Sequence, residues 1–261
     1  LQLSIDKHGA KVSAARAASY LTPVLHWAKR RDLIIGDFNL EKPLQDAPRQ
    51  KVLTEVELAA LLPTFKSHHG VCAKYMLLTG ARITETTAAT WSQIDLEAKT
   101  WTIPPENLKD TRPLQARRHK PKQALAIPLS RQAIQLLTDA QQAETERRQL
   151  NGLQEEIRKQ DLLFVGPRGS KLGNWDRWLK ATTATTGITG WSAHALRRTT
   201  ATLAGDLGAP PHIVSVMLGH SNVGGPLVSG YNQSTYSSEH QQILQRVADK
   251  LEALENGVSY E

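Results

Sequence analysis

Cysteine is all but missing from this sequence: Cys72 is the only one in 261 residues. An internal disulfide is therefore impossible, and a zinc site built on several cysteines is excluded. Such usage fits a reducing, intracellular setting. Also missing is any run of about 18 consecutive apolar residues, so neither a membrane-spanning helix nor a membrane partner is expected. The opening Leu1-Gln2-Leu3-Ser4 lacks the basic start and apolar stretch of a secretory leader. It also lacks an initiating Met, which fits a fragment or a processed form. There is no internal repeat and no low-complexity tract.

What is present is ordinary for a globular protein, with 40% hydrophobic and 22% charged residues. The charge is less ordinary. Lys and Arg number 32 against 25 Asp and Glu, a formal charge of +7. A basic excess of this size suits a polyanion, although many unrelated proteins share it.

Helical spacing of Ala15, Ala18, Leu21, Val24, Leu25 and Ala28 predicts a helix over 12–31, ending in Lys29-Arg30-Arg31. Residues 36–50, with two prolines and mixed polar side chains, read as a linker. The domain division expected is 1–45, a partial helical domain and linker, and 46–261, the main domain. The second unit opens on Thr54-Glu55-Val56-Glu57, a capping box, so a helix of about ten residues should follow. Further helices are expected at 70–78, 83–91, 131–149, 174–185, 192–206, 210–218 and 237–256. Short strands are expected at 100–103 and 124–128, with an extended piece at 161–165. Between the two strands runs a strongly basic connection holding Lys109, Arg112, Arg117, Arg118, His119, Lys120 and Lys122. The sum is an α+β fold, mainly helical with one small antiparallel sheet.

Five short elements carry chemical potential, and each has a bland reading. His194 and Arg197 stand three apart on a predicted helix, so imidazole and guanidinium share a face. A cation beside an acid/base group suits phosphate, but an isolated pair of this kind is more often a solvated helix face. Thr79-Gly80-Ala81-Arg82 is a tight turn that places Arg82 at a helix start, where backbone amides also attract anions, with Glu85 positioned to orient it. Its bland reading is a capped helix with a surface arginine. Leu218-Gly219-His220 is a common helix ending, and His220 alone would be a packed residue. Tyr231, taken alone, is more often packing than nucleophile. Lys109, taken alone, is a surface lysine.

The order of these elements resembles that of the tyrosine recombinases of the phage integrase family, notably integrases of genomic islands and satellite phages. LLTGARITETTAATWSQID, residues 77–95, is similar to the family's first arginine motif, and WTIPPENLK, 101–109, to the strand ending in its lysine. HALRRT, 194–199, resembles its second arginine box; MLGHS, 217–221, its second histidine segment; GYNQSTYSSEHQQIL, 230–244, its nucleophile segment. The resemblance implies the family's catalytic-domain fold and a catalytic set of Arg82, Lys109, His194, Arg197, His220 and Tyr231. Under it, Arg112, Arg117, Arg118, Lys120 and Lys122 would contact DNA, and Lys120 and Lys122 are rivals to Lys109. Tyr236 is the rival to Tyr231, which better matches the family context.

A phenol has a pKa of about 10 and needs a base or a positive field to attack phosphorus. The resemblance makes His194 the base, the two arginines and His220 the phosphate ligands, and Lys109 the donor to the leaving 5′ oxygen. No metal or other cofactor is required. The implied function is site-specific cutting and rejoining of duplex DNA for integration or excision of a mobile element, in the bacterial cytoplasm on the nucleoid. The implied assembly is a tetramer on DNA, with host DNA-bending or excision factors as possible partners. WAKRRDLI, 27–34, resembles the end of the family's core-binding domain. Two alternatives are a type IB topoisomerase and a catalytically silent DNA-binding regulator. Ile243, Val247, Leu251 and Leu254 give the last helix an apolar stripe that serves either its own domain or a neighbour.

Overall fold

The structure is a computed structural model in which residues 11–36, 40, 51–108, 123–153, 156–219 and 237–260 are described. The chain divides into two units, Leu1–Arg49 and Gln50–Glu261. The expected linker falls outside the described residues except for Gly36 and Leu40.

The described part of the first unit is helix α1, Lys11–Lys29. It runs through Pro23, and its surface shows Tyr20, Val24 and Trp27 to solvent. Arg31 caps the end of this apolar strip, its guanidinium 4.4 Å from the Trp27 ring centre.

The second unit begins with α2, Glu55–Leu61, continued by a 3₁₀ turn at Leu62–Thr64. The capping box is present: the Thr54 hydroxyl accepts from the Glu57 amide at 3.2 Å, and the Glu57 carboxylate accepts from the Thr54 amide at 2.9 Å. Helix α3, His68–Thr79, is the centre of the fold. Cys72, Ala73, Tyr75, Met76, Leu77 and Leu78 are all buried. A helix that is apolar on every side has to be wrapped by other elements. Here α5 (Arg131–Leu150), α7 (Ala193–Asp206) and α9 (Ser237–Glu255) pack on it.

Helix α4, Ile83–Thr87, is shorter than the sequence pattern predicts. Long-range pairing ends it. Leu163 donates to the Ala89 carbonyl, Trp91 to that of Asp161 and Ser92 to that of Lys159, at 2.9, 3.1 and 2.6 Å. Thr90 bridges Leu162; where an extended piece is expected at 161–165, the chain makes two isolated bridges, at Leu162 and Val165, and the first draws residues 89–92 out of the helix. The sheet is antiparallel, in the order β1 (Ile94–Asp95), β2 (Thr100–Ile103), β3 (Leu125–Pro128). Trp101 faces Ile127 and Ile103 faces Leu125, and Trp101, Ile103 and Ile127 are fully buried. The remaining helices are α6 (Trp175–Thr186) and α8 (Pro211–Met217). The α+β expectation is therefore met.

Helix α9 lies on its own unit. His240, Ile243, Leu244, Val247, Ala248 and Leu251 are buried against α2, α3, α5, α7, α8 and β3. Polar contacts fix its other positions. Arg131 pairs with Glu252 at 2.6 Å, Lys74 with Glu255 at 2.5 Å, and Arg246 donates to the Leu207 carbonyl at the end of α7 at 2.6 Å. Among the described residues no helix is long and apolar enough to cross a membrane.

Candidate active site

Helix α3 stops at Gly80, whose φ of +67° is the left-handed conformation that glycine adopts without penalty. Its N–H still reaches the Met76 carbonyl at 2.8 Å. The chain turns out of α3 there, and Arg82 becomes the residue before α4. Arginine has no acceptor with which to cap a helix. Glu85 fills the gap from the other side. One carboxylate oxygen accepts from the Arg82 backbone N–H at 2.8 Å, and the other from the guanidinium at 2.7 Å. The Glu85 side chain is fully buried, while Arg82 keeps 22% exposure. The expected orienting role of Glu85 is thus a two-point grip, on the backbone and on the side chain of one residue. α4 has only five residues, so the attraction for anions lies in the guanidinium rather than in a helix terminus.

Arg197 comes from α7 and is nearly buried, at 5% exposure. Its Nη1 donates to the Gly80 carbonyl at 2.7 Å, and its Nη2 donates to the Leu218 carbonyl. One side chain thus joins the end of α3, which precedes Arg82, to the end of α8, which precedes His220. Burial pushes the Arg197 pKa down to about 10, helped by repulsion from the Arg82 charge and opposed by Glu85. Two guanidinium groups therefore feel each other and one buried carboxylate, and Arg82 is the one that keeps access to solvent. A pair of cations in such a place gains from an anion with several oxygens, because planar forks match phosphate geometry.

His194 is exposed in the first turn of the same helix, one turn before Arg197. The start of α7 is fixed by aromatic packing that sequence reasoning missed. Trp191 is buried three residues before His194, 6.3 Å from Phe65 and 5.6 Å from Trp178 between ring centres. Hydroxyls on α7 add to this: Thr200 donates to the Leu77 carbonyl and Thr199 accepts from the Leu53 N–H, both at 2.9 Å. Threonines in an otherwise apolar stripe are the available sequence signal for such cross-links.

Lys109, His220 and Tyr231 lie outside the described residues, as do Arg112, Arg117, Arg118, Lys120, Lys122 and Tyr236. Their flanks are described. Pairing of β2 with β3 ends at Ile103 and Leu125. Gly219, just before His220, has φ +59°, and a Cβ there would lie 2.7 Å from a methyl of Leu125 on β3. The segment entering His220 therefore abuts the strand that follows the basic connection. Of the predicted set, Arg82 and Arg197 are linked through the turn at Gly80, and His194 stands one turn before Arg197 on α7.

The sequence model of the phage integrase family matches residues 51–237. No curated protein matches the sequence. Among solved structures, the Tn1549 transposon integrase bound to circular intermediate DNA is similar at 19% identity, with a TM-score of 0.61, over 92% of this chain and 81% of that one. A lambda integrase dimer bound to a core site is similar at 16% identity and a TM-score of 0.57, over 92% and 76%. The XerH site-specific recombinase bound to its difH substrate is similar at 20% identity and 0.53, over 92% and 64%.

Proposed function

The chain belongs to the phage integrase family of tyrosine-type site-specific DNA recombinases, and from that premise we propose that it cuts and rejoins duplex DNA through a 3′-phosphotyrosine bond formed by Tyr231. The observation that carries this reading is the meeting of the first arginine motif with the helix of the second: Arg197 donates to the Gly80 carbonyl, two residues before Arg82, and the buried Glu85 holds the Arg82 guanidinium. Binding alone does not call for two guanidinium groups held together at a cost in burial; stabilising a pentacoordinate phosphorus does.

The Tyr231 hydroxyl attacks the scissile phosphorus, and its proton passes to His194. The Tyr231 O–P bond forms as the bond from phosphorus to the 5′ oxygen breaks. Lys109 protonates that oxygen, giving a free 5′-hydroxyl. Arg82, Arg197 and His220 hold the non-bridging oxygens while charge builds on them. Reversal with the 5′-hydroxyl of a second strand completes the exchange and restores the tyrosine. Arg112, Arg117, Arg118, Lys120 and Lys122 contact the DNA backbone. Residues 1–45 are a partial helical core-binding domain and linker that add to the grip on DNA. The DNA-bound state is a homotetramer acting on two sites, in the bacterial cytoplasm, in integration or excision of a mobile element with host factors. The DNA complexes of the Tn1549 and lambda integrases support this choice of partner.

A nicked suicide duplex tests the reading. Wild-type protein and Tyr236→Phe should trap a covalent adduct, and Tyr231→Phe should trap none while binding the same duplex. Loss of the adduct in Tyr236→Phe alone would overturn the assignment. Cleavage without sequence preference would point to a topoisomerase instead.

A further inference from the structure

We propose that Arg197 is a positioning residue before any DNA arrives: it fixes Arg82 and the segment entering His220 by clamping the carbonyls that end α3 and α8. The inference deepens the proposed phosphate site and rests on that reading only for its consequence in cleavage. Its physical basis is independent of DNA.

A guanidinium carries five N–H donors in a rigid plane. Arg197 spends one on the Gly80 carbonyl and one on the Leu218 carbonyl, leaving three. Both acceptors sit at helix ends, where carbonyls have no partner within the helix. Gly80 closes α3 in the left-handed conformation, and Leu218 is the last residue before Gly219 turns the chain the same way. Each turn therefore has an orphan carbonyl, and each is the last fixed point before a proposed phosphate ligand. Arg82 follows Gly80 by two residues, and His220 follows Leu218 by two.

Arg82 has a second anchor in Glu85, and Thr200 lies 3.5 Å from where a Gly80 Cβ would be. At the other turn the neighbours are apolar: a Cβ on Gly80 would lie 3.8 Å from a Leu218 methyl, and one on Gly219 would lie 2.7 Å from a Leu125 methyl. A charged donor in a nearly buried place makes a stronger bond than a neutral one, so this clamp dominates the local order. A lysine cannot imitate it. Its ammonium is a single point on a flexible stem and cannot hold two separated carbonyls while also facing phosphate. The cation read as a phosphate ligand is thus also the strut that holds the turns at Gly80 and at Leu218–Gly219 in place.

Hydrogen exchange of the DNA-free protein tests this without reference to activity. The amides of Gly80, Arg82, Leu218 and Gly219 are all hydrogen-bonded in the structure. In Arg197→Lys and Arg197→Ala, exchange at 80–82 and 218–219 should rise about tenfold or more relative to amides in the middle of α5. Arg82→Ala, which removes a cation but neither carbonyl contact, should leave 218–219 as in wild type. Unchanged relative protection at 218–219 in both Arg197 variants, or an equal rise in Arg82→Ala, would overturn the proposal. Should the Arg197 variants not fold, nitrogen NMR of the wild-type protein decides. The two Arg197 Nη groups should give separate, slowly exchanging signals without DNA, and a single averaged signal would overturn it. Adduct formation supplies the link to chemistry: Arg197→Lys should cleave slowly at saturating duplex, showing the defect in rate rather than in binding. Retention of the exchange effect with no adduct in wild type would instead fault the proposed function and leave the clamp standing.

Discussion

Replacing Glu85 by Gln removes one charge and almost no volume, and the structure gives the size of the effect. The carboxylate accepts two charge-assisted bonds from Arg82, at 2.7 and 2.8 Å, with its side chain fully buried. Gln keeps one acceptor and turns the other into a donor, which then faces an N–H it cannot satisfy. Charged hydrogen bonds contribute about 1.5–3 kcal/mol each, and breaking a buried ion pair by removing one partner costs about 3–5 kcal/mol. Arg82 stays partly exposed, so the lower figure applies, and Glu85→Gln should lose about 3 kcal/mol in urea unfolding. The second effect is electrostatic. Glu85 is the anion that offsets the repulsion between Arg82 and Arg197. Without it Arg82 swings toward water, and covalent cleavage at saturating DNA should fall about 10²-fold, as for loss of one preorganised donor to a developing oxyanion. Glu85→Asp should fall between the two, since its shorter stem reaches one of the two N–H groups. Both effects should persist in high salt because the carboxylate is buried. A Glu85→Gln protein with wild-type unfolding midpoint and wild-type single-turnover rate would refute the reasoning at its root.

His240 on α9 is buried, its Nε2 has no hydrogen-bond partner, and burial lowers its pKa from the ordinary 6.5 to about 4. The unfolded chain then binds more protons than the folded one between those values, so stability should fall by about 3 kcal/mol as pH drops from 6.5 to 4. Urea titrations should show this slope in wild type and a flatter one in His240→Phe; equal slopes would remove the histidine from the account. Lys109→Ala should slow cleavage of ordinary DNA by roughly 10²-fold or more, and a bridging 5′-sulfur should restore much of the rate, since a thiolate leaves without a proton. Sulfur rescue in Lys120→Ala or Lys122→Ala instead would move the general acid along the basic connection.

The elements the sequence revealed are those with local causes. Thr54 and Glu57 specify a cap by contacts within one turn, and Arg82 and Glu85 meet at three residues' spacing, so both were readable from composition at fixed offsets. The period of α9 was equally plain, yet Ile243, Val247 and Leu251 are spaced alike for burial in cis or on a neighbour, and only tertiary packing places them on their own unit. The shortening of α4 had no local sign: Thr90 and Trp91 leave the helix because residues 159–163 offer hydrogen bonds from far along the chain. β1, at two residues, was too short to show alternation. The Arg197 clamp was invisible for the deeper reason that its acceptors are backbone carbonyls, which every residue carries and no side-chain pattern marks. The aromatic packing around Trp191 draws on Phe65 and Trp178, distant in sequence and adjacent only once folded.

Helix α9 is synthesised after every helix that it covers. A nascent or interrupted chain ending at residue 236 would already contain Arg82, Lys109, His194, Arg197, His220 and Tyr231. It would also leave open the apolar surface of α2, α3, α5 and α7 that Ile243, Leu244, Val247 and Leu251 close. Such a chain is a target for proteolysis and aggregation rather than a nuclease at large. The fold around Arg82 and Arg197 thereby closes only once Leu251 has been translated, because a helix outside the proposed chemistry is the part that locks the rest.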